Sequence, residues 1–407
     1  MTDYDIIIVG AGAVGATLAA AVADSGLKIA LVEACEPEPF NAQAPLDLRV
    51  FAISRASERI LRALGAWDTI AAAKRICTYR GMQVWDAAGG GRIEFDAADV
   101  GESDLGHIIE NRLLQSALLK RADAFSNVTM LWPRACTGLA VERDCMSLKI
   151  DDGSELRARL VVAADGAGSR LRQWAGIEAP AHSYKQRAIV SHLTTERTHG
   201  GVARQAFLDQ GGVLALLPLA DGRSSLIWST DDAHADELLA MDEAAFHDAI
   251  TTASGFALGA VTDSDRRASF PLRRMHAERY VRPRFALVGD AAHSVHPLAG
   301  QGVNLGLLDA AALAETLTAA ASSGRDIGGL PVLRRYERAR RSDNAAMVWS
   351  LDGFQKLFRA AEPIRSLGGW GLGLVNRCAP VKNAFIRRAL GVEGELPALA
   401  RVNKSRA

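Results

Sequence analysis

The chain contains, in its C-terminal half, the segment Leu287-Val-Gly-Asp-Ala-Ala-His-Ser-Val-His-Pro-Leu-Ala-Gly-Gln-Gly-Val-Asn-Leu-Gly306. Its pattern predicts an apolar strand that ends at Gly289-Asp290, a loop of small residues, and a helix that opens at Gly300-Gln301-Gly302. A carboxylate at the end of a strand can accept hydrogen bonds from a sugar-like chain, and a helix N-terminus attracts an anion. By itself the segment is compatible with an ordinary strand–loop–helix connection, so its meaning depends on the rest of the chain.

A glycine-rich turn near the N-terminus supplies a second part. Tyr4–Val9 is typical of a buried parallel strand, and Gly10-Ala-Gly-Ala-Val-Gly15 follows it. In this pattern the first glycine permits a tight turn, the second lets the backbone approach a pyrophosphate, and the third lets a helix pack on the strand. Glu33 follows Gly15 by 18 residues, at the end of the next predicted strand, where it can bind both hydroxyls of an adenosine ribose. The motif predicts a dinucleotide site without deciding between FAD and NAD.

A third motif lies between these two, at Val161-Val-Ala-Ala-Asp-Gly-Ala-Gly-Ser-Arg-Leu-Arg172. Its pattern predicts a hydrophobic strand that carries Asp165 into a glycine turn, after which Ser169 and Arg170 begin a helix. Taken alone, such a turn is as often structural as functional.

Composition limits the class of protein. With 407 residues and equal numbers of acidic and basic side chains, the chain can form two packed domains and shows no global charge that favours nucleic acid. The five cysteines form no Cys-x-x-Cys pair, which indicates reduced thiols and disfavours a disulfide reductase. No uninterrupted apolar run reaches the roughly 18 residues that a membrane span requires, and the acidic N-terminus is unlike a signal peptide. We therefore expect a cytoplasmic protein, soluble or peripheral to a membrane.

The three motifs, in this order, resemble those of single-component FAD aromatic hydroxylases of the para-hydroxybenzoate hydroxylase type, which are class A flavoprotein monooxygenases. More narrowly, the run His296-Pro-Leu-Ala-Gly-Gln-Gly-Val-Asn-Leu-Gly-Leu-Leu-Asp309 resembles the signature of ubiquinone-biosynthesis hydroxylases. The resemblance extends from residue 1 to about residue 390. It implies non-covalent FAD as cofactor and NAD(P)H as a transient co-substrate, since a second strong Gly-x-Gly-x-x-Gly motif is missing.

The resemblance also implies an α/β fold: a Rossmann-like FAD-binding domain with an inserted antiparallel β-sheet substrate domain and a helical C-terminal region. The repeated β-like runs between His182 and Asp231 favour such an insertion. The predicted FAD-binding parts are residues 1–75, 104–180 and 271–330. The predicted substrate-domain parts are residues 76–103 and 181–270, and the C-terminal helical region is residues 331–407.

Site residues are carried over from the resemblance motif by motif. The ADP half of FAD is assigned to the N-terminal turn and Glu33, the phosphate or ribityl region to Arg112, and the ribityl hydroxyls to Asp290. Asp165 is assigned to a turn that serves both FAD and NAD(P)H, and the backbone of residues 300–302 to the N1 and O2 edge of the isoalloxazine. The predicted cofactor-binding residues are Gly10, Gly12, Ala13, Gly15, Glu33, Arg49, Arg112, Asp165, Asp290, Gly300, Gly302, Val303 and Asn304. The predicted catalytic residues are Arg49, Pro297, Gly300 and Gln301, and no metal site is predicted.

Several of these side chains have two interpretations. Arg49 resembles an arginine near the flavin, or is a surface or ion-pair arginine. His293 and His296 have no metal-ligand spacing, and capping or packing of the loop is favoured over acid–base chemistry. Pro297 is expected to shape the backbone on one flavin face, because proline fixes φ. Asp309 either complements the helix N-terminus, which is favoured, or faces the substrate.

The activity implied is insertion of one oxygen atom of O2 into an electron-rich aromatic ring, through oxygen addition at flavin C4a after reduction by NAD(P)H. The implied substrate is a polyprenylated phenol or quinol intermediate of ubiquinone synthesis. Two alternatives stay open: hydroxylation of a soluble phenolic compound, and a non-catalytic flavin-bearing scaffold in a biosynthetic complex.

The C-terminal region suggests contact with a membrane. From Pro331 onward the chain has 15 Lys and Arg against 6 Asp and Glu. Apolar residues stand beside Arg359 and Arg365, a pattern that suits an interfacial helix on anionic lipid. The apolar residues are Leu351, Phe354, Leu357, Phe358, Ile364, Leu367 and Trp370. An ordinary packed helix with a solvated basic face is an equally good interpretation.

Overall fold

The computed structural model describes residues 2–87, 90–208, 212–295 and 300–359, and, nearer the C-terminus, residues 378, 380, 382–383, 387, 390–391 and 394–402. The strands are β1 (Tyr4–Val9), β2 (Ile29–Val32), β3 (Val50–Ile53), β4 (Cys77–Tyr79), β5 (Gly81–Asp86), β6 (Arg92–Asp96), β7 (Gly106–Glu110), β8 (Val128–Leu131), β9 (Cys136–Val141), β10 (Met146–Ile150), β11 (Glu155–Ala163), β12 (Ala181–Thr195), β13 (Val202–Phe207), β14 (Val213–Pro218), β15 (Ser224–Asp231), β16 (Val261–Ser264), β17 (Ala268–His276), β18 (Val281–Arg282), β19 (Phe285–Leu287) and β20 (His293–Ser294). The α-helices are α1 (Ala13–Val22), α2 (Arg55–Ala63), α3 (Trp67–Ala72), α4 (Asn111–Asp123), α5 (Arg170–Trp174), α6 (Asp232–Ala240), α7 (Glu243–Ala253), α8 (Gln301–Ser322) and α9 (Leu330–Arg359).

The first sheet is built around β1. Its strands follow the order β18-β19-β11-β1-β2-β8, with β10 and β9 added beside β11. The pairs β19–β11, β11–β1, β1–β2 and β2–β8 are parallel. Ile6, Ile7 and Ile8 are fully buried because α1, α4 and α8 cover the sheet, as a parallel sheet requires. The C-terminal ends of β1, β11 and β19 therefore lie side by side, and each of them leads into one of the three motifs.

The second sheet follows the order β20-β17-β12-β15-β14-β13-β5-β6, with β16 beside β12. Its pairs are antiparallel except β13–β5, which is parallel. One face packs on α6 and α7 through Ile189, Leu226 and Trp228. The opposite face, which we call the front face, carries Leu217, which joins an apolar cluster with residues of β3 and β7. The front face is thus turned toward β3 and β7, and Ala52 of β3 lies next to the turn that opens α8.

Sheet pairing differs from the predicted division at three points. Cys77–Tyr79 lies in a third sheet, β3-β7-β4, rather than with the substrate strands. Ala268–His276 is one continuous strand of the second sheet and crosses the expected boundary at 270–271. His293–Ser294 also pairs with that strand, although it follows Asp290 in the chain. The reason is that strand pairing depends on partners distant in sequence, which a composition shift along the chain does not reveal.

Two helices follow the last motif. The window of α8 has a mean hydropathy of 1.2 over a helix of 22 residues, enough by length and composition to cross a membrane, but 67% of that window is buried inside the fold. Together with its contacts to α1 and α9, this burial makes α8 a core helix. The helical C-terminal prediction holds for α9 as far as Arg359. The side chains of Leu351, Phe354, Leu357, Phe358 and Arg359, and residues Ile364, Arg365, Leu367 and Trp370, lie outside the part of the chain that the structure describes.

Candidate active site

The N-terminal turn is shaped by two glycines that no other residue can replace without movement. Gly10 has a φ of +106°, and a Cβ placed on it would lie 2.3 Å from the carbonyl oxygen of Ala164. A Cβ on Gly15 would lie 1.9 Å from the carbonyl oxygen of Gly10. These approaches bring α1 against β1 and the end of β11, as the motif predicts.

Gly12 plays a different part in the same turn. It is the N-cap of α1, and a Cβ on it would meet nothing within 4 Å among the described residues. The helix N-terminus has no side-chain cap and no acidic residue in its first turn. Its free N–H groups therefore face open space, which is the arrangement that binds a phosphate. Ala13 begins the helix at this point.

Glu33 and Gln115 both form hydrogen bonds with the backbone of Ala11 in the glycine turn. One carboxylate oxygen of Glu33 accepts the N–H of Ala11 at 2.7 Å, and the other accepts the N–H of Ala34 at 2.8 Å. Gln115 of α4 donates from Nε2 to the carbonyl oxygen of Ala11 at 2.8 Å. Glu33 is only partly buried, so it lies at the edge of the site where the predicted ribose contact would form. Gln115 was not predicted, because nothing local distinguishes it from other polar helix residues.

Asp165 lies at the turn after β11. Its Oδ2 accepts the N–H of Leu171 at 3.3 Å, which caps α5, while its Oδ1 is buried without a hydrogen-bond partner. Burial raises the pKa of Asp165, and the hydrogen bonds from Ser169 and the start of α5 partly oppose that rise. One carboxylate oxygen is thus left over for a ligand or a water molecule, consistent with the predicted role.

Arg172 connects this turn to the third motif. Its Nη1 donates to the carbonyl oxygen of Ala291 at 2.8 Å, and its Nη2 donates to that of Ala167 at 3.1 Å. The side chain is 7% exposed. The sequence alone assigns Arg172 no role, because an arginine in the first turn of a helix beside an acidic turn is too common a pattern.

Asp290 follows β19, where the sheet ends. Gly289 takes a φ of +59°, and the carboxylate of Asp290 accepts no hydrogen bond from the residues that the structure describes. Burial raises the pKa of Asp290, while the charges of His293 and Arg49 oppose that rise. Arg49 is therefore close enough to act on Asp290, which brings two predicted residues from distant parts of the chain to one place.

Asp309 stabilises the loop around Asp290 through buried hydrogen bonds. Its Oδ2 accepts the N–H of Gly289 at 3.2 Å and lies 2.5 Å from Nε2 of His293, and its Oδ1 accepts Nε of Arg340 and Nδ2 of Asn344, each at 2.9 Å. All four side chains are at most 3% exposed. Burial works against ionisation of Asp309, but His293 and Arg340 outweigh it and lower its pKa. Asp309 is therefore part of a buried hydrogen-bond network, and neither of its two predicted roles, at the helix N-terminus or beside the substrate, is correct. His293 packs against the loop and fixes it, which is the favoured interpretation.

Gly300 and Asn304 join α8 to β3. Gly300 caps α8 with a φ of +60°, and a Cβ on it would come within 3.2 Å of the Cβ of Ala52. Asn304 donates from Nδ2 to the carbonyl oxygens of Ala52 at 2.8 Å and Gly300 at 3.2 Å, and its Oδ1 accepts the N–H of Ser54 at 2.9 Å. Asn304 is thus a positioning residue whose amide is engaged by protein backbone.

The other residues of this turn differ in exposure. Gln301 is buried, Gly302 and Val303 are partly exposed, and among the described residues a Cβ on Gly302 would have only Val295 near it, at 3.9 Å. Like α1, α8 has neither a side-chain cap nor an acidic residue in its first turn. Pro297 and His296 lie outside the described residues, so their predicted roles stay predictions.

Arg49 and Arg112 lie at the rim. Arg49 is exposed, its guanidinium lies 5.2 Å from the ring centroid of Phe51, and its N–H donates to Oδ1 of Asp47 at 3.1 Å. Oδ2 of Asp47 accepts the N–H of Arg112 at 3.3 Å, and the guanidinium of Arg112 pairs with Glu38 at 2.8 Å. Asp47 was not predicted, yet it holds both arginine backbones together. Both guanidiniums are solvent-accessible, so each can turn toward an anionic ligand.

The residues present fit a dinucleotide that carries a hydroxylated chain. Two helix N-termini, at Gly12 and Gly300, have no side-chain cap and present aligned N–H dipoles that attract anionic groups. Among the described residues, Oδ1 of Asp165 has no hydrogen-bond partner and the carboxylate of Asp290 accepts no hydrogen bond. In FAD, the pyrophosphate, the ribityl hydroxyls and the N1–O2 edge of the ring system require these types of partner in this order.

This fold and site define a flavoprotein monooxygenase. Residues 3–349 match the protein family described as FAD binding domain. The 3-demethoxyubiquinol 3-hydroxylase of Escherichia coli K12 is 39% identical over 95% of this chain and 98% of that protein. The mitochondrial ubiquinone biosynthesis monooxygenase COQ6 of Homo sapiens is 37% identical over 95% of this chain and 92% of that protein. The chain therefore belongs to the FAD-dependent hydroxylases of ubiquinone biosynthesis.

Solved structures agree with this fold. The p-nitrophenol 4-monooxygenase PnpA of Pseudomonas putida superposes with a TM-score of 0.77 at 19% identity, covering 96% of this chain and 98% of that one. PqsL of Pseudomonas aeruginosa, described as a probable FAD-dependent monooxygenase, gives 0.76 at 24% identity, with coverage of 91% and 99%. At these identities the likeness shows the architecture, while the family membership rests on the sequence relatives.

Proposed function

We propose that this enzyme hydroxylates the aromatic ring of a prenylated phenol or quinol intermediate of ubiquinone biosynthesis, with O2 and NAD(P)H as co-substrates. The observation that carries the proposal is the 39% identity to 3-demethoxyubiquinol 3-hydroxylase along 95% of the chain. Bound FAD supplies the redox chemistry, by accepting a hydride from NAD(P)H and activating O2 for transfer of one oxygen atom.

The protein's own part is binding and orientation. The N–H groups at the start of α1, opened by Gly12, would hold the pyrophosphate, and Asp290 would accept the ribityl hydroxyls. The N-terminus of α8 would stabilise negative charge on the reduced ring system, because its N–H dipoles are already aligned and need no reorganisation. Asn304 and Asp309 keep these groups in place through buried hydrogen bonds.

The front face of the second sheet suits an aromatic ring with an apolar tail. Val190, Ile227, Ala215 and Leu217 are half-buried on this face, although their neighbours on the opposite face are fully buried in the α6–α7 core. Val190, Ile227 and Ala215 lie opposite one another across β12, β15 and β14, and Leu217 lies two residues further along β14. Such a row favours a hydrocarbon-rich substrate, since covering it removes apolar surface from water.

We further propose that the enzyme works in the cytoplasm at a membrane surface or within a biosynthetic complex. The support is the excess of 15 basic over 6 acidic residues after Leu330, together with a substrate whose tail partitions into lipid. Co-sedimentation with anionic and neutral vesicles at low and high salt tests the membrane arm. Arg359→Glu with Arg365→Glu should reduce recovery on anionic vesicles, and the matched reversal of exposed Arg143 and Arg266 should not. Equal recovery on both vesicle types would contradict the membrane arm of the proposal.

Profiling of quinone intermediates tests the substrate. A strain lacking the gene should accumulate a prenylated ring one hydroxylation short of the next intermediate, and the wild-type gene should remove it. Accumulation of a soluble phenol instead would favour the soluble-substrate alternative. Tight FAD binding with no NAD(P)H oxidation in the presence of any prenylated phenol would favour a scaffold.

A further inference from the structure

The strongest unexplained feature outside the flavin motifs is a pair of buried polar side chains on the front face. His192 of β12 is 0% exposed, and both of its ring nitrogens lack a hydrogen-bond partner. Ser225 of β15 is also 0% exposed, and its Oγ lacks a partner. The two residues are directly opposite each other in the antiparallel pair, which places their Cβ atoms about 5 Å apart. Three unsatisfied polar atoms at one place are costly unless something binds there.

The location of the pair is fixed by register. Ile189, Leu193 and Leu226 point to the α6–α7 core, so His192 and Ser225 point to the front face. Leu217 lies directly opposite Ser225 on the next strand and packs in the cluster of Ala52 and Ile108. Ala52 is the residue that Gly300 and Asn304 contact. The polar pair is therefore linked, through Leu217 and Ala52, to the flavin-site turn.

Charged neighbours orient the histidine. Nδ1 of His192 lies 3.5 Å from Oδ2 of Asp265, which also accepts Nη1 of Arg223 at 2.8 Å. Nδ1–H is then the favoured tautomer, and Nε2 is left as an acceptor on the side of the ring away from Asp265. Burial lowers the pKa of His192, and the charge of Arg223 adds to this effect, so the ring is neutral near pH 7. A neutral ring can accept a hydroxyl hydrogen through Nε2.

We infer that His192 and Ser225 form a polar subsite for a phenolic hydroxyl of the substrate ring. The hydroxyl would donate to Nε2 of His192 and accept from Oγ–H of Ser225, which gives both of these atoms a partner, while Nδ1 faces Asp265. The half-buried row beginning at Val190 and Ile227 lies beside the pair and would receive the apolar part of the molecule. This inference rests on the proposed function, because it takes the substrate to be an oxygenated aromatic ring.

The chain offers a matched control in the adjacent serine. Ser224 is 1% exposed and its Oγ also lacks a partner, but it lies opposite Leu193 and so points to the other face of the sheet. Ser225→Ala and Ser224→Ala therefore remove the same atom from equally buried sites on opposite faces. His192→Leu removes the unsatisfied nitrogens at similar size. Each variant should keep its fold, since deleting an unpartnered buried polar group removes a desolvation cost.

The experiment is titration of FAD-loaded protein with 2-prenylphenol and with prenylbenzene, which lacks the hydroxyl, followed by calorimetry or flavin absorbance. We expect the wild-type protein and Ser224→Ala to bind the phenol about tenfold more tightly, the effect of one or two hydrogen bonds. Ser225→Ala and His192→Leu should reduce that ratio to within about threefold.

Three outcomes would overturn the inference. They are a phenol preference in Ser225→Ala equal to that of the wild type, a loss of this preference in Ser224→Ala as large as in Ser225→Ala, and no phenol preference in the wild type. A different outcome would contradict the proposed function alone. If the wild-type protein discriminates between the two ligands but hydroxylates no prenylated ring, the subsite is supported and the assigned reaction is wrong.

Discussion

Nη1 of Arg172 donates a hydrogen bond to the carbonyl oxygen of Ala291 across 119 residues of chain, at 2.8 Å. The same guanidinium donates to Ala167, so a single buried side chain joins the Asp165 turn to the Asp290 loop. These two motifs are far apart in the sequence, and the arginine connects them in the folded protein. We therefore expect the flavin site to depend on this arginine without any contact between it and the cofactor.

Arg172→Ala should weaken FAD binding and stability together. The change leaves the buried carbonyl oxygen of Ala291 without its donor, a loss of about 1–3 kcal/mol, and it also removes the hydrogen bond to the exposed Ala167. Thermal unfolding and FAD titration measure the two effects. Exposed Arg170 on the same helix is the control, and Arg170→Ala should leave both quantities near the wild-type values. Unchanged FAD affinity in a destabilised Arg172→Ala protein would show that the loop holds its position without the arginine.

Asp290→Ala should weaken FAD by about 1–3 kcal/mol, because the ribityl hydroxyls lose their acceptor. The carboxylate makes no hydrogen bond within the described part of the chain, so its removal should cost little folding stability. FAD dissociation constants and apo-protein melting temperatures measure both effects. Asp68→Ala, at an exposed acid of α3, is the control. Wild-type affinity for FAD in the Asp290→Ala protein would show that the assignment is wrong.

Gly12→Ala and Gly15→Ala should separate binding from folding. Among the described residues a Cβ at Gly12 meets nothing within 4 Å, whereas a Cβ at Gly15 would lie 1.9 Å from a backbone oxygen. We expect Gly12→Ala to fold normally and to lose FAD affinity, because the methyl group takes the space of the pyrophosphate. Gly15→Ala should lose about 1–3 kcal/mol of stability or more from overpacking. Equal losses of stability in the two variants would show that Gly12 is required for folding rather than for FAD binding.

Gly302→Val should reduce hydroxylation more than it reduces folding stability. Among the described residues, the nearest atom to a Cβ at this position is 3.9 Å away, but the side chain would occupy the side from which the helix N–H groups would reach the ring system. Gly300→Val should instead fail in folding, because its φ of +60° disfavours a β-branched residue. Product formation and thermal unfolding of the flavin-loaded variants distinguish the two. Normal hydroxylation by folded Gly302→Val would exclude close backbone approach.

Acid should destabilise the protein through Glu58. Burial raises the pKa of Glu58, but the adjacent ring of His107, the hydrogen bond from Arg62 and the charge of Arg55 outweigh it and bring the pKa to about 2, from 4.5 in the unfolded chain. Because the folded pKa is the lower one, its stabilisation is complete above about pH 4.5 and is lost as the pH falls toward 2.

Glu58→Gln should therefore cost roughly 3 kcal/mol at pH 7 and flatten the stability profile below pH 4.5. Urea unfolding at a series of pH values measures this profile. Glu36→Gln, at an exposed loop residue, should leave the profile unchanged. A Glu58→Gln protein with the wild-type acid dependence would place the effect in other carboxylates.

Local sequence gave good predictions where short-range sterics decide the structure. Gly10 and Gly15 were assigned their purposes from spacing alone, and the structure shows the close approaches that require them. The helix predicted after the turn is observed at Ala13–Val22. Asp165 and Asp290 were predicted at strand ends and lie there. In each case a strand, a turn and a helix are consecutive in the chain, so a pattern of a few residues contains the whole constraint.

Contacts between distant residues were not predictable in the same way. Nothing near Asp309 in sequence indicates that Arg340, Asn344 and Gly289 would surround it, and nothing near Asp47 indicates that it would accept the N–H of Arg112, 65 residues away. The same is true of the His192–Ser225 pair, whose opposition depends on register between two strands. Register is set by which residues the sheet buries, and that choice is made only when the chain has folded.

The amino-acid sequence by itself determined the class of protein, because three glycine and acid motifs each impose a local backbone geometry that a flavin dinucleotide requires. The tertiary structure alone decided how the motifs form one site: which arginine joins them, which face of the second sheet is turned toward them, and which polar groups are left without partners there. These features are sums of many long-range contacts, each too weak to leave a pattern in the sequence, and they become definite only through close packing.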